Sequence, residues 1–219
     1  MPDRIVISTH LDDAVLSCYS LLSSKTLVVS VLAGVPPPGV VGDWDRSGGA
    51  VDSHDRVRER RAEDERALQA SGSESLHLDF NESQHVGLAG LTAPTHDGLV
   101  EGLRSILSTA NTIYAPAGIW NSEHKNVRDA VLALRADAVL YADLPYALRL
   151  DMGGFELPSD ISSTGRHRRE SVLDDVQAAA KVEASRCYAT QLPQLIEIFG
   201  DFVNVHHLRR EVVWQVTLR

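Results

Sequence analysis

An α/β fold is predicted by three observations. Short apolar runs such as Ile5-Val6-Ile7, Leu27-Val28-Val29 and Val139-Leu140-Tyr141 read as buried strands. They alternate with longer stretches of helical spacing, the pattern of a mostly parallel sheet covered on both faces. At 219 residues, 43% hydrophobic and 23% charged, the chain suits one sizeable globular domain. The expectation is a Rossmann-like three-layer sandwich, a single domain over residues 1–219, closed by a C-terminal pair of strands.

Arg4 to Ser8 reads as the first strand, and apolar Val15, Leu16, Cys18, Tyr19 and Leu22 have helical spacing. Thr26 to Ala33 is the second strand, followed by a long Gly/Pro-rich loop, Gly34 to Ser53, carrying Trp44. His54 to Ala70 is a charged helix stopped at Gly72, in which Arg56 to Arg61, interleaved with acids, predict a solvated face. Ser75 to Leu78 is a strand, Asp79 to Pro94 a loop, and Asp97 to Ser108 a helix. Thr112 to Ala115 is a strand, a loop follows through Asn121, and helix resumes over Glu123 to Arg135. Ala138 to Tyr141 closes the alternation. Beyond it the sequence predicts a loop from Leu150 to Gly165, a helix from Glu170 to Cys187, and strands Phe202 to His206 and Val212 to Leu218.

The first strand-to-helix turn reads Thr9-His10-Leu11-Asp12-Asp13. Such turns expose functional groups at the carboxyl ends of strands. One acid there is explained as a helix cap; a histidine with two acids asks for more. The turn after Thr112 to Ala115 has the same placement and carries Trp120, Asn121, Glu123 and His124. In a parallel sheet the two turns lie on one edge, where His10, Asp12, Asp13, Glu123 and His124 can converge. Two imidazoles and a carboxylate suit zinc with a position open for water, and a further carboxylate suits a general base. The remaining histidines show no such setting, and His206 and His207 on a strand would face opposite ways.

The formal net charge of −9 argues against a nucleic-acid partner. Two cysteines, Cys18 and Cys187, suggest reduced thiols. No apolar run approaches the ~20 residues that cross a bilayer, so no membrane insertion and a cytoplasmic location are expected. A nucleotide-binding reading is disfavoured, because acids stand where a Gly-rich turn would cradle phosphate.

The segment HLDDAVLSC resembles the first motif of the zinc-dependent GlcNAc-PI de-N-acetylases, also called LmbE-like or PIG-L deacetylases. Their second motif usually reads His-x-Asp-His; here it is Asn121-Ser122-Glu123-His124 followed by Val127. Arg60-Arg61-Ala62-Glu63-Asp64, the stretch Tyr141-Ala142-Asp143-Leu144-Pro145-Tyr146-Ala147, and Lys181 with Tyr188, Thr190 and Gln191 are similar to further family patterns. The matches run in order from about residue 4 to about residue 191.

The resemblance implies His10, Asp13 and His124 as ligands of Zn2+ or another divalent metal, with Asp12 the general base toward the water it activates. The substrate implied is a small N-acetylated amino-sugar conjugate. Two positions depart from the family. Asn121 stands for a histidine; it can donate a hydrogen bond to an oxyanion but cannot act as an acid. Glu123 stands for the aspartate that holds a ligand's ring, one methylene longer. Around these, Trp120 is a candidate substrate wall, as are Trp44 and Tyr146. Arg60 can reach substrate or pair with Glu63 or Asp64 on its own helix, and Asp79 can line the pocket. Alternative readings are an amidase on a thiol or other amide conjugate, and a metal- or sugar-binding homologue with weakened catalysis. Homo-oligomeric assembly stays open.

Overall fold

The computed structural model describes residues 2–149, 157–162 and 165–216. In chain order the strands and helices are β1 Arg4–Ser8, α1 Asp13–Cys18, β2 Thr26–Ser30, α2 Asp43–Ser47, α3 Ser53–Gln69, β3 Glu74–His77, α4 His96–Leu107, β4 Thr112–Pro116, α5 Ser122–Leu134, β5 Val139–Tyr141, β6 Arg166–Val172, α6 Asp175–Ser185, α7 Leu192–Phe199, α8 Val205–Leu208 and β7 Arg210–Val216. The seven strands form one sheet in the order β3-β2-β1-β4-β5-β7-β6. Five are parallel, and β7 and β6 add antiparallel at one edge. This is the predicted α/β architecture, with a terminal strand pair formed by β6 and β7 rather than by the expected pair of Phe202 to His206 and Val212 to Leu218.

The core follows from composition. Ile5, Val6 and Ile7 of β1 are fully buried, as expected of a central parallel strand covered on both faces. Helix α4 presents Leu99, Leu103 and Leu107 at four-residue spacing, all buried, while the intervening charges face outward. Each such leucine contributes about 1.5–3 kcal/mol when fully buried.

Four elements differ from the sequence expectation, the first being α2, which forms within the expected loop Gly34 to Ser53. Glu170 to Val172 belongs to β6, not to the following helix. Asp174 makes a capping box with Gln177, so α6 begins at Asp175, and the residues before Leu173 pair with β7 from Arg166↔Val216 to Val172↔Arg210. The strand is unreadable from its sequence because it is an exposed edge rich in charge. Phe202 to His206 is not a strand either. The Asn204 side chain accepts from the His206 and His207 amides and opens the short α8. Helix α7 was not expected; Pro193 sits in its first turn and Gly200 ends it. The expected loop Leu150 to Gly165 lies partly outside the described residues, as do the last two positions of the expected strand Val212 to Leu218.

Helix α3 also departs from a solvated charged helix. Arg60, Glu63 and Asp64 are buried. Glu63 accepts from the Thr190 amide and hydroxyl at 2.9 and 2.8 Å, and Asp64 accepts from the Tyr188 hydroxyl at 2.8 Å and meets His77 at 2.8 Å. Lys181 is buried against Glu211 at 2.8 Å. The late Lys…Tyr-x-Thr-Gln pattern thus carries three polar ties, two to α3 through Asp64 and Glu63 and one to β7 through Glu211.

Candidate metal centre and cavity

Strand β1 ends at Ser8, whose hydroxyl donates to the His10 carbonyl at 2.6 Å and accepts from the Ala14 amide at 3.1 Å. Asp13 Oδ2 accepts from the His10 amide at 2.8 Å. The turn is thereby closed on itself, with His10 and Asp13 on one side. Asp12 occupies the N-cap position of α1 yet makes no side-chain capping bond, so capping does not explain it. On the neighbouring strand, Asn121 caps α5 by accepting from the Glu123 amide at 2.8 Å and delivers Glu123 and His124 in the first turn. Strands β1 and β4 are adjacent, and the sheet order reverses between them. This is the switch point at which open α/β sheets form a crevice.

His10 Nδ1, Asp13 Oδ2 and His124 Nε2 converge. The separations are 3.7 Å from His10 to Asp13, 3.4 Å from His124 to Asp13, and 3.2 Å between the imidazoles. Ligand atoms about 2.0–2.1 Å from a tetrahedral zinc stand about 3.3–3.4 Å apart, so the triangle fits such an ion. Among the described residues, this is the group of three or more whose ligand atoms lie within 4.8 Å of one another.

Each imidazole is held from behind by a carboxylate. Glu123 Oε2 lies 3.0 Å from His10 Nε2, and Asp143 Oδ1 lies 3.1 Å from His124 Nδ1. The Glu123 contact is a hydrogen bond and the Asp143 contact an ion pair by distance; each carboxylate favours a ring proton on the far nitrogen and a lone pair toward the triangle. Glu123 thus reaches its ring across the extra methylene. Each carboxylate uses its other oxygen on a backbone amide: Glu123 Oε1 accepts from Ser83 and Asp143 Oδ2 from Ile119, both at 2.6 Å.

Within the protein alone, the surroundings favour protonation of the His10 imidazole and of Asp12. Burial alone would push the His10 imidazolium down, but the hydrogen bond and charge of Glu123, with Asp13 and Glu82, outweigh it and raise its pKa to about 10. Burial likewise opposes Glu123 ionisation, and its bond and charge contact with His10 bring that carboxyl down to about 2. Asp12 is raised to about 7, first by burial and then by the adjacent Asp13 charge. A divalent cation at the triangle reverses the balance at His10 and Asp12 by favouring the deprotonated forms.

The triangle opens into a cavity of about 430 Å³ bordered by Asp12, Trp44, Arg60, Trp120, Asn121 and Tyr146, among others. Trp120 is 64% exposed at the rim with a left-handed backbone, φ 64°. Arg60 is 1% exposed and pairs with Asp45 at 2.7 Å, with Glu82 at 3.9 Å, rather than with Glu63 or Asp64. Asp79 does not border the cavity: it pairs with Arg61 at 2.5 Å with 84% of its side chain exposed. Several contributors went unrecognised as site residues. Asp143 and Gln191 were visible only inside family-like motifs, while Glu82, Ser83 and the α7 wall of Leu195 and Phe199 reach the site through tertiary packing.

No protein-family model matches the chain, and no curated protein matches it. Solved structures do. Teicoplanin deacetylase Orf2 superposes in its zinc-inhibited form with a TM-score of 0.78 at 23% identity, covering 96% of both chains. The Orf2 triple mutant gives 0.77 at 26% identity over 97% of this chain and 96% of that one. The A40926 pseudoaglycone deacetylase Dbv21 gives 0.76 at 24% identity, over 97% and 96%. N,N'-diacetylchitobiose deacetylase from Pyrococcus horikoshii gives 0.58 at 15% identity, over 97% and 83%. The family resemblance carried by the sequence motifs is therefore matched by solved deacetylases, whose fold this chain shares over nearly its whole length.

Proposed function

We propose that this chain is a metal-dependent N-deacetylase that removes an acetyl group from an amino-sugar conjugate. The observation carrying it is the His10–Asp13–His124 triangle at a cavity that also holds the uncapped carboxylate of Asp12. The relatives in fold, named as deacetylases of teicoplanin, of the A40926 pseudoaglycone and of N,N'-diacetylchitobiose, support the substrate class. Zinc is the metal that the donor set favours.

When bound there, zinc supplies Lewis-acid polarisation and lowers the pKa of water. The residues do the rest. Asp12 accepts a proton from the attacking water as the new C–O bond forms and the carbonyl electron pair moves onto oxygen. On collapse the C=O bond reforms, the C–N bond breaks, and Asp12 returns the proton to the leaving nitrogen. The products are acetate and a free amine. Asp12 serves as both base and acid because Asn121 carries no transferable proton at neutral pH.

The test measures zinc content and acetate release from N-acetylglucosaminides on one preparation. About one zinc per chain with turnover is expected. His124→Ala should lose both, and Asp12→Asn should keep zinc and lose about 10²–10⁴-fold in rate. Zinc-loaded protein that releases no acetate from any such amide would refute the proposal.

A further inference from the structure

The Asn121 amide is engaged at both ends, with one of its two Nδ2 hydrogens left over. Its oxygen is engaged by the Glu123 amide as the cap of α5, and its Nδ2 donates to the Tyr146 hydroxyl at 2.9 Å. A phenol oxygen that accepts one hydrogen bond keeps its own proton for another acceptor. Among the described residues, Asn121 is the partner recorded for that hydroxyl. The ring is fixed on two sides. Its edge meets the His124 imidazole, with centroids 5.2 Å apart at 78°, and it meets Phe199 at 5.3 Å and 84°. Tyr146 and Asn121 both border the cavity alongside His10, Asp12 and Asp13. Contact with His124 sets Tyr146 apart from Arg60 and Gln191, the other buried donors there.

We propose that the Tyr146 hydroxyl, propped by the Asn121 amide, donates the hydrogen bond that stabilises the developing oxyanion of the amide substrate. This rests on the deacetylase reading above. It moves the donor role expected of Asn121 by one residue outward: Tyr146 touches the reacting oxygen, and Asn121 is a positioning residue. No proton is transferred by the phenol. The carbonyl electron pair moves onto oxygen as water adds, the O–H of Tyr146 points at that charge, and the proton traffic stays with Asp12. A phenol ordinarily keeps its proton at neutral pH, so the hydroxyl is a donor there. The loop after β5 would then place both the carboxylate behind His124 and the donor in front of it, through Asp143 and Tyr146. Fixed donors of this kind act without reorganising during the reaction.

The experiment uses the zinc-loaded full chain and Tyr146→Phe, Asn121→Ser and the double variant. Serine keeps an N-cap oxygen but is too short to reach Tyr146. Tyr146→Phe should lower kcat about 10²-fold with KM within about threefold, at unchanged zinc content and Tm. Asn121→Ser should cost about tenfold in kcat in the wild-type background and nothing further in Tyr146→Phe, since its effect runs through the lost hydroxyl. A second readout is independent of turnover: calorimetric binding of methylphosphonate, a tetrahedral anion, should weaken about tenfold or more in Tyr146→Phe. Equal methylphosphonate affinity, or a kcat within threefold of wild type, overturns the proposal. An additive Asn121 effect in the Phe background overturns the relay. A wild type that binds methylphosphonate through Tyr146 but releases no acetate leaves the donor standing and refutes the deacetylase reading instead.

Discussion

The carboxylate behind His124 offers a sharp test of how the centre is built. Asp143 is fully buried, and its two oxygens serve separate partners, the His124 Nδ1 at 3.1 Å and the Ile119 amide at 2.6 Å. Asp143→Asn keeps the shape but leaves a single acceptor oxygen for two donors and removes the charge that makes the imidazole a stronger ligand. Loss of such a partner costs about 10–100-fold in metal affinity. With zinc well above both dissociation constants, that ratio shrinks zinc-induced stabilisation by about 1.4–2.7 kcal/mol. For a chain of this size, about 2–4 °C of Tm accompanies each kcal/mol, so the zinc-induced rise in Tm should fall by about 3–11 °C. The assay is thermal unfolding of wild type and variant with and without a fixed zinc excess. Comparing the two rises removes the variant's metal-free destabilisation. Rises that agree within about 1 °C would show that Asp143 does not tune the ligand, and the account of the centre would fail at that residue.

Two further predictions concern the cavity wall. Burial alone would raise the Asp45 carboxyl, but hydrogen bonds from His85 and Ser53 and the Arg60 charge hold it below the ordinary range. Its stabilisation is therefore complete above the unfolded value near ~3.9 and lost as pH falls through the lower folded value. Asp45→Ala should cost about 3–5 kcal/mol at neutral pH by leaving Arg60 buried without its partner, and should flatten the acid limb of a denaturation series. A loss under about 1 kcal/mol would contradict the buried pairing. Trp120→Gly should leave unfolding free energy unchanged or higher by up to about 1 kcal/mol, because glycine relieves the left-handed backbone, while KM for the sugar amide rises. A substantial loss of stability would show that the indole is a packing element rather than a rim.

The parts of the site written within one turn were legible in the sequence. His10, Asp12 and Asp13 sit together, and His124 announces itself by repeating the same strand-end position. Glu123 was read as a ring holder, and the structure directs it to His10. Asp143 and Tyr146 were hidden because their roles depend on where the loop after β5 folds back, which no local spacing encodes. The buried face of α3 misled for the same reason: Arg60, Glu63 and Asp64 look solvated until Asp45, Thr190 and Tyr188 arrive from distant segments. Edge strand β6 was misread because a strand open to solvent carries no alternating apolar signal.

The two histidines of the triangle are 114 positions apart in the chain. In the unfolded polypeptide a loop of that length must close before both can reach one ion, and the entropy of closure opposes it. Of the triangle, the disordered chain can offer at once only the two sequence neighbours, His10 and Asp13. Zinc should therefore partition almost wholly to the native state. Unlike a zinc finger, whose metal organises the chain around it, this chain must assemble its sheet first. On the proposed reading, metal loading is a late event, governed by passage through the cavity rather than by the folding rate.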